Sequence, residues 1–177
     1  NFISNLDHCA ISVAFIEKSK TIFGVISDIY QENIYSAHRD SGAFKNDDRI
    51  ELNKIASGLF ATSSGFLDAA LKHQNLFPKL RKYGKHRNLG AQSLHLCYQA
   101  EGRFCFAASV EAKIWDDAAA RLLVRETGQN YYSFSCSDGQ VKIDNNQNSL
   151  AVHPSIADKV LSVIRQIPEM SKLTLQE

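Results

Sequence analysis

The sequence lacks the features that would carry it into a membrane or onto a polyanion. No apolar run approaches the roughly 20 residues that span a bilayer. The first residues show no basic, then apolar, then small-residue succession of a signal peptide. Both absences point to a cytoplasmic chain with no membrane partner. Lysine and arginine number 20 against 19 aspartates and glutamates, a net charge of +1. Nucleic-acid binding needs an excess of cations on one face, so no nucleic-acid partner is expected. The four cysteines, Cys9, Cys97, Cys105 and Cys136, form no CxxC pair. Three lie in apolar runs, which favours buried reduced thiols over zinc ligands or disulfides. The six histidines show no metal-ligand spacing, and no GxSxG supports a nucleophilic triad. No repeat, low-complexity segment or linker divides the 177 residues, a length that suits a single domain over 1–177.

What is present gathers around Lys113–Gly128. Ala118, Ala119, Leu122, Leu123 and Val124 recur at helical spacing, and Gly128 stands where a glycine stops a helix. Asp116 falls at its start, where an aspartate caps the amides and meets the positive end of the helix dipole. Phe104–Ala108 just before it reads as a buried strand, and Trp115, the one tryptophan, adjoins the carboxylate. Two readings of Asp116 stay open on spacing alone: a plain N-cap over a buried tryptophan, or a metal ligand at a strand-to-helix junction.

Taken in order, Cys9–Ile16, Lys20–Ile26 and Asn33–Ala37 are strand-like, and Ser41–Leu52 reads as a hairpin turning at Asn46-Asp47. This block predicts an antiparallel meander. Gly58–Thr62 is a further strand, and Leu67–Tyr83 carries helical spacing interrupted at Pro78. His86–Leu89 makes a short strand, and Gln92–Ala100 a mostly buried helix. Strands follow at Tyr131–Phe134 and Leu150–Val152, around a polar loop from Asp138 to Asn148. A last helix runs from Ser155 to about Met170. Strands alternating with helices predict mixed α/β layers. Ser63-Ser64-Gly65 reads as a turn, His95 as a packed core histidine, and the cluster Lys79, Arg81, Lys82, Lys85 and Arg87 as a solvated helix face.

Several segments resemble the inositol monophosphatase family of magnesium-dependent, lithium-sensitive sugar phosphatases. Ile114–Ala120 resembles its WDxAA motif, and Asn1-Phe2 the end of its DPxDGTxNF motif. Phe23–Ile26 resembles its FGVIY strand, Ser41–Asn46 its GAFxNG hairpin, and Leu123–Gly128 its LVREAGG segment. Arg87–Ala91 matches the stretch before the helix that borders substrate. Their order and spacing carry the resemblance, which covers essentially the whole chain but only about the C-terminal two thirds of the family's domain.

The resemblance implies an α/β fold, the layered α+β sandwich of these phosphatases truncated at its N-terminus, and a homodimer. It implies a phosphomonoesterase acting on a small phosphorylated sugar or polyol, with Mg²⁺ as cofactor. Inositol phosphate, fructose bisphosphate, histidinol phosphate and a 3′-phosphonucleotide are the substrate alternatives. Asp116 becomes the catalytic and metal residue, which can also cap. Gly90, Ala91, Gln92, Ser109 and Asp116 become the substrate-binding positions. The remaining metal carboxylates belong to segments expected upstream of Asn1, so the chain alone is expected to be inactive. A family glutamate that holds inositol is Ser109 here, with Glu111 two residues later, which turns the expectation away from inositol monophosphate. The rival class is a non-catalytic lobe serving as a folding or dimerisation unit.

Overall fold

Ala10–Glu17 (β1) alternates half-buried and exposed residues over its whole length, the pattern of a strand with one face covered. It opens the structure, a computed structural model that describes residues 1–52, 58–73, 75–134 and 147–176. Lys20–Asp28 (β2), Asn33–His38 (β3), Gly42–Lys45 (β4) and Asp48–Arg49 (β5) follow, each antiparallel to the strand before it. Lys18-Ser19 and Asn46-Asp47 both turn with two consecutive positive φ angles. That is the turn whose twist matches the flanking strands. The expected meander is therefore present, closed at its far edge by the expected hairpin.

The remaining described residues alternate strand and helix. In order they are Leu59–Thr62 (β6), Ser64–Leu71 (α1), Leu76–Leu80 (α2), Lys85–Arg87 (β7), Gln92–Ala100 (α3) and Phe106–Ala112 (β8). Then come Ile114–Glu126 (α4), Asn130–Ser133 (β9), Gln147–Val152 (β10), Ala157–Ile164 (α5) and Thr174–Leu175 (β11). The second sheet has the order β11-β9-β10-β8-β6-β7, with β6 parallel to β7 and β8 and the other pairs antiparallel.

Helices α3 and α4 lie between the two sheets. Ile26, Tyr35 and Ala43 of the meander share one core with Leu96, Ala119, Leu122 and Leu123, and with Ala107, Tyr131 and Ala151 of the second sheet. The second sheet's other face carries Phe60, Phe106 and Leu150 under Phe66, Leu80, Val160 and Ile164 of α1, α2 and α5. A helix sandwiched this way needs a slim body. Gly24 on β2 supplies the clearance, because a Cβ there would sit 2.8 Å from the Ala119 Cα.

The structure moves several expected boundaries. The strand placed at Phe104–Ala108 is Phe106–Ala112, which brings residues 109–111 into the sheet. The helical pattern of Leu67–Tyr83 divides, with Asn75 at φ 66° between α1 and α2. Pro78 sits in the first turn of α2, where its missing N–H costs nothing. The turn expected at Ser63-Ser64-Gly65 is a helix start, with Ser63 Oγ accepting the Phe66 N–H at 3.1 Å. The last helix stops at Ile164 rather than near Met170, because Ile167 is extended ahead of Pro168 and a separate short 3₁₀ turn follows. Of the polar loop Asp138–Asn148, residues 138–146 lie outside the described residues, as does Cys136. Cys9, Cys97 and Cys105 are free thiols, the latter two buried. No described helix is long and apolar enough to cross a membrane.

Candidate active site

The strand-to-helix junction expected to organise the chain is β8 running into α4. Asp116 stands in the first turn of α4, and its Oδ2 accepts the Lys113 N–H at 2.9 Å. The expectation of an N-cap is corrected here. Lys113 is the cap, and Asp116 sits three residues on, reaching back to the cap amide as the second half of a capping box does. That bond uses one carboxylate oxygen. The tryptophan is corrected too: Trp115 is 56% exposed, so Asp116 does not rest on a buried indole. The far end of α4 closes as expected. Gly128 donates to the Arg125 carbonyl at 2.9 Å and Gln129 to the Val124 carbonyl at 3.2 Å, the paired bonds of a Schellman stop.

Asp116, Gly90, Ala91, Gln92 and Ser109 all line one cavity of about 460 Å³, together with Asn1 and Glu111. They come from two separated stretches of chain: the loop into α3, and the junction where the end of β8 passes into the start of α4. The loop is held by a chain of hydrogen bonds that runs from its partly buried rim to the buried Asp117–Tyr131 pair. Leu89 N–H donates to His95 Nε2 at 2.9 Å, so that nitrogen carries no proton and Nδ1–H faces Gln92 Oε1 at 3.3 Å. Gln92 Nε2 donates to Asp117 Oδ1 at 3.2 Å, and the Tyr131 hydroxyl donates to Asp117 Oδ2 at 2.7 Å. Burial pushes the His95 imidazole down to about 4, aided by the charges of His86 and His8. Burial raises the Asp117 carboxyl, against the pull of the Tyr131 and Gln92 hydrogen bonds. Tyr131 is raised well above its usual value by burial and by the Asp117 charge, so it remains a donor.

Gly90 adopts φ +70° in this loop, and a Cβ on it would meet Asn1 Oδ1 at 2.7 Å. Asn1 in turn donates from Nδ2 to the carbonyls of His8 and Leu89 at 2.6 and 2.7 Å. The loop thus stitches the chain's first residue to the helix that frames the cavity. On another wall Ser109 is fully buried, and its hydroxyl has no hydrogen-bond partner among the described residues. Glu111 is exposed at the same wall and holds φ +66°, an uncommon conformation for a residue with a Cβ. Its N–H is taken by Asn148 Oδ1 at 3.0 Å, where the β8–β10 register slips.

Magnesium demands near-octahedral oxygen coordination and is held by carboxylates plus water and substrate oxygens. Among the described residues no group of three or more His, Cys, Asp and Glu side chains could hold a metal ion. The carboxylate of Asp116, half engaged by the helix cap, does not make a magnesium site by itself. The residues present do not complete the expected metal centre.

A sequence profile described as the inositol monophosphatase family matches residues 1–169. The chain belongs to that family. Nus factor SuhB of Pasteurella multocida is 29% identical over 174 residues, covering 93% of this chain and 63% of that protein. The fructose-1,6-bisphosphatase/inositol-1-monophosphatase of Thermotoga maritima is 27% identical over 172 residues, covering 96% of this chain and 65% of that protein. Among solved structures, an IMPase of Thermotoga maritima superposes with a TM-score of 0.77 at 26% identity, over 96% of this chain and 65% of the other. SuhB of Mycobacterium tuberculosis shares the fold, with a TM-score of 0.80 over 96% of this chain and 69% of the other. The chain thus spans less than two thirds of the length of the first curated relatives it matches. Its α/β layering is that of the inositol monophosphatase family.

Within this family frame, Asp117 and Tyr131 are the supporting residues that reading the sequence missed, and the left-handed backbone of Glu111 was not legible either. Asp117 adjoins Asp116, but its side chain leaves on the buried side of α4, and only the packing of β9 behind it shows that. The basic cluster stays off the wall: Lys79, Arg81, Lys82, Lys85 and Arg87 are exposed, and none lines the cavity.

Proposed function

We propose that this chain forms the substrate side of a magnesium-dependent phosphomonoesterase acting on a small phosphorylated sugar or polyol. The observation that carries the reading is the convergence of Asp116, Gly90–Gln92 and Ser109 on one cavity, in a chain of the inositol monophosphatase family. Its volume of about 460 Å³ suits a small ligand. Asp116 keeps one carboxylate oxygen clear of the helix cap. It would serve as one magnesium ligand and as acceptor of a sugar hydroxyl, with the other ligands drawn from outside these 177 residues. When bound, that metal polarises the phosphoryl oxygens.

The chain's own residues bind and orient. The hydrogen-bond chain from Leu89 to Tyr131 fixes the loop that faces substrate. The unpartnered hydroxyl of Ser109 favours a ligand that supplies its missing bond, since a buried polar group left unpaired costs about 1–3 kcal/mol. Ser109 is short and neutral, so it neither accepts the charge-assisted bond a glutamate offers an inositol hydroxyl nor repels a second phosphate. This supports a bisphosphate or nucleotide phosphate over inositol monophosphate, with Glu111 at the rim as the competing acceptor.

The test is turnover in the whole protein. Asp116→Asn keeps an oxygen for the Lys113 amide, so circular dichroism stays unchanged while kcat/KM falls by about 100-fold or more. Wild-type-like kinetics would leave Asp116 as a helix cap. Comparing fructose 1,6-bisphosphate with inositol 1-phosphate, in wild type and Ser109→Glu, tests the substrate side. Equal preference in both would remove Ser109 as a determinant.

A second reading, a non-catalytic folding or dimerisation unit, draws support from the incomplete metal centre. It is also consistent with relatives that carry the name Nus factor. Magnesium-dependent, lithium-inhibited hydrolysis of p-nitrophenyl phosphate by the 177-residue chain would end that reading. A cytoplasmic homodimer remains part of the proposal, and sedimentation tests its oligomeric half.

A further inference from the structure

Three arginines converge on the flank of α4 away from the cavity, and among the described residues none forms an ion pair within 4.0 Å. Arg121 and Arg125 are one turn apart on α4 and share a face. Arg39 follows the end of β3. All three guanidinium-bearing residues are partly buried, and with Thr21, Lys20 and Gln176 they enclose a small cavity of about 70 Å³. Thr21 is 2% exposed and fixes two of them. Its Oγ1 accepts Nε and Nη2 of Arg121 at 3.1 and 2.8 Å, and its carbonyl accepts Nε of Arg39 at 3.0 Å.

The Glu126 carboxylate, whose charge reaches Arg125, is engaged by backbone amides. Glu126 takes the backbone N–H groups of Asp40 and Gly42, each at 2.9 Å. Among the described residues no carboxylate lies within 4.0 Å of these guanidiniums, and Arg125 makes no hydrogen bond or ion pair. Burial lowers the Arg125 pKa, as do the charges of Arg39 and Arg121, against the opposing charges of Glu126 and Asp40. The like charges are held together with donors to spare, and Glu126 and Asp40 act on Arg125 only through space. A guanidinium carries five donors in a fork that matches oxyanions. Arg39 still has both Nη groups, Arg121 one, and Arg125 all of its donors.

We propose that Arg39, Arg121 and Arg125 form a second anion site that takes one tetrahedral oxyanion, either inorganic phosphate or the phosphoryl end of a small metabolite. The cavity, about 70 Å³, is several-fold smaller than the roughly 300–1,000 Å³ of a drug-sized ligand pocket, which suits a small anionic group. At about 1.5 Å per residue, the site lies roughly 7 to 14 Å along α4 from Asp116. It therefore does not share the candidate active site, and it does not depend on the phosphatase reading.

The experiment is calorimetric titration of the whole protein with inorganic phosphate, and separately with glycerol 3-phosphate, in excess EDTA. The variants are Arg125→Ala and Arg39→Ala. Each should weaken phosphate binding at this site by 10-fold or more, while the circular dichroism spectrum is unchanged. Binding of both ligands assigns a site open to phosphate esters, and binding of phosphate alone assigns the inorganic ion. Crystals of the wild-type protein soaked in tungstate should show an anomalous peak among the three guanidiniums, and this arm stands even if a variant fails to fold. No peak at saturating tungstate, or unchanged phosphate affinity in both folded variants, would overturn the proposal.

Discussion

Replacing Tyr131 with phenylalanine removes one oxygen from the interior of this protein and little else. Tyr131 is 1% exposed, and its hydroxyl is one of the two side-chain donors seen at 2.7 and 3.2 Å on the buried Asp117 carboxyl. A hydrogen bond to a charged group contributes about 1.5–3 kcal/mol, and more when its loss leaves a buried charge short of a partner. For a chain of this size each kcal/mol moves the melting temperature by about 2–4 °C. Tyr131→Phe should therefore lower Tm by about 3–12 °C near pH 7.

The pH dependence has a definite sign. Burial raises the folded-state pKa of Asp117 above its ordinary value of 3.8. Its contribution to stability is present at low pH and is lost as pH rises through the folded pKa. Asp117→Asn removes the charge and can keep both partners, because the tyrosine hydroxyl can turn from donor to acceptor. That variant should equal or exceed wild type near pH 7, and its advantage should shrink as pH is lowered toward the ordinary value of 3.8 and wild-type Asp117 takes up a proton. Thermal unfolding followed by circular dichroism across that range measures both variants. A Tyr131→Phe protein within about 0.5 kcal/mol of wild type near pH 7, the scatter of innocuous substitutions, would refute the account of Asp117 as a charge held in place by its donors.

Other outcomes follow from the same wall of the cavity. Gly90→Ala must hold a Cβ at φ +70° against Asn1 Oδ1, a left-handed cost of about 1–2 kcal/mol. It should raise KM for substrate with kcat little changed, and an unchanged KM would separate this loop from binding. His95, lowered from 6.5 to about 4, contributes stability that is full above pH 6.5 and lost as pH falls toward 4. At 1.36 kcal/mol per pKa unit this is about 3 kcal/mol. An NMR titration of its ring should show no protonation between about pH 8 and 5, and a midpoint near 6.5 would contradict the hydrogen-bond chain through Leu89 and Gln92.

The amino-acid order by itself determined the local elements wherever chain chemistry is local. The meander was legible because β1 alternates and Asn46-Asp47 accepts positive φ. The end of α4 was legible because Gly128 can take the left-handed stop. The candidate site was legible only as a set of family positions, Gly90, Ala91, Gln92, Ser109 and Asp116. Their meeting at one cavity depends on α3 and α4 packing between the two sheets against β8, and no spacing along the chain encodes that. Asp116 as cap-box partner rather than cap turned on a three-residue shift of the helix start, which side-chain pattern does not resolve. Asp117, whose burial makes it the anchor of the loop, reads in the sequence as one more acid beside Asp116. Arg39, Arg121 and Arg125 are scattered charges along the chain. They form a cluster only where β2 and β3 pass beside α4, because close approach of backbones at Gly24 sets the charges side by side. Fold and hairpins rest on periodicity and turn chemistry, which are short-range. The polar network and both candidate sites rest on long-range packing, which only the tertiary structure decided.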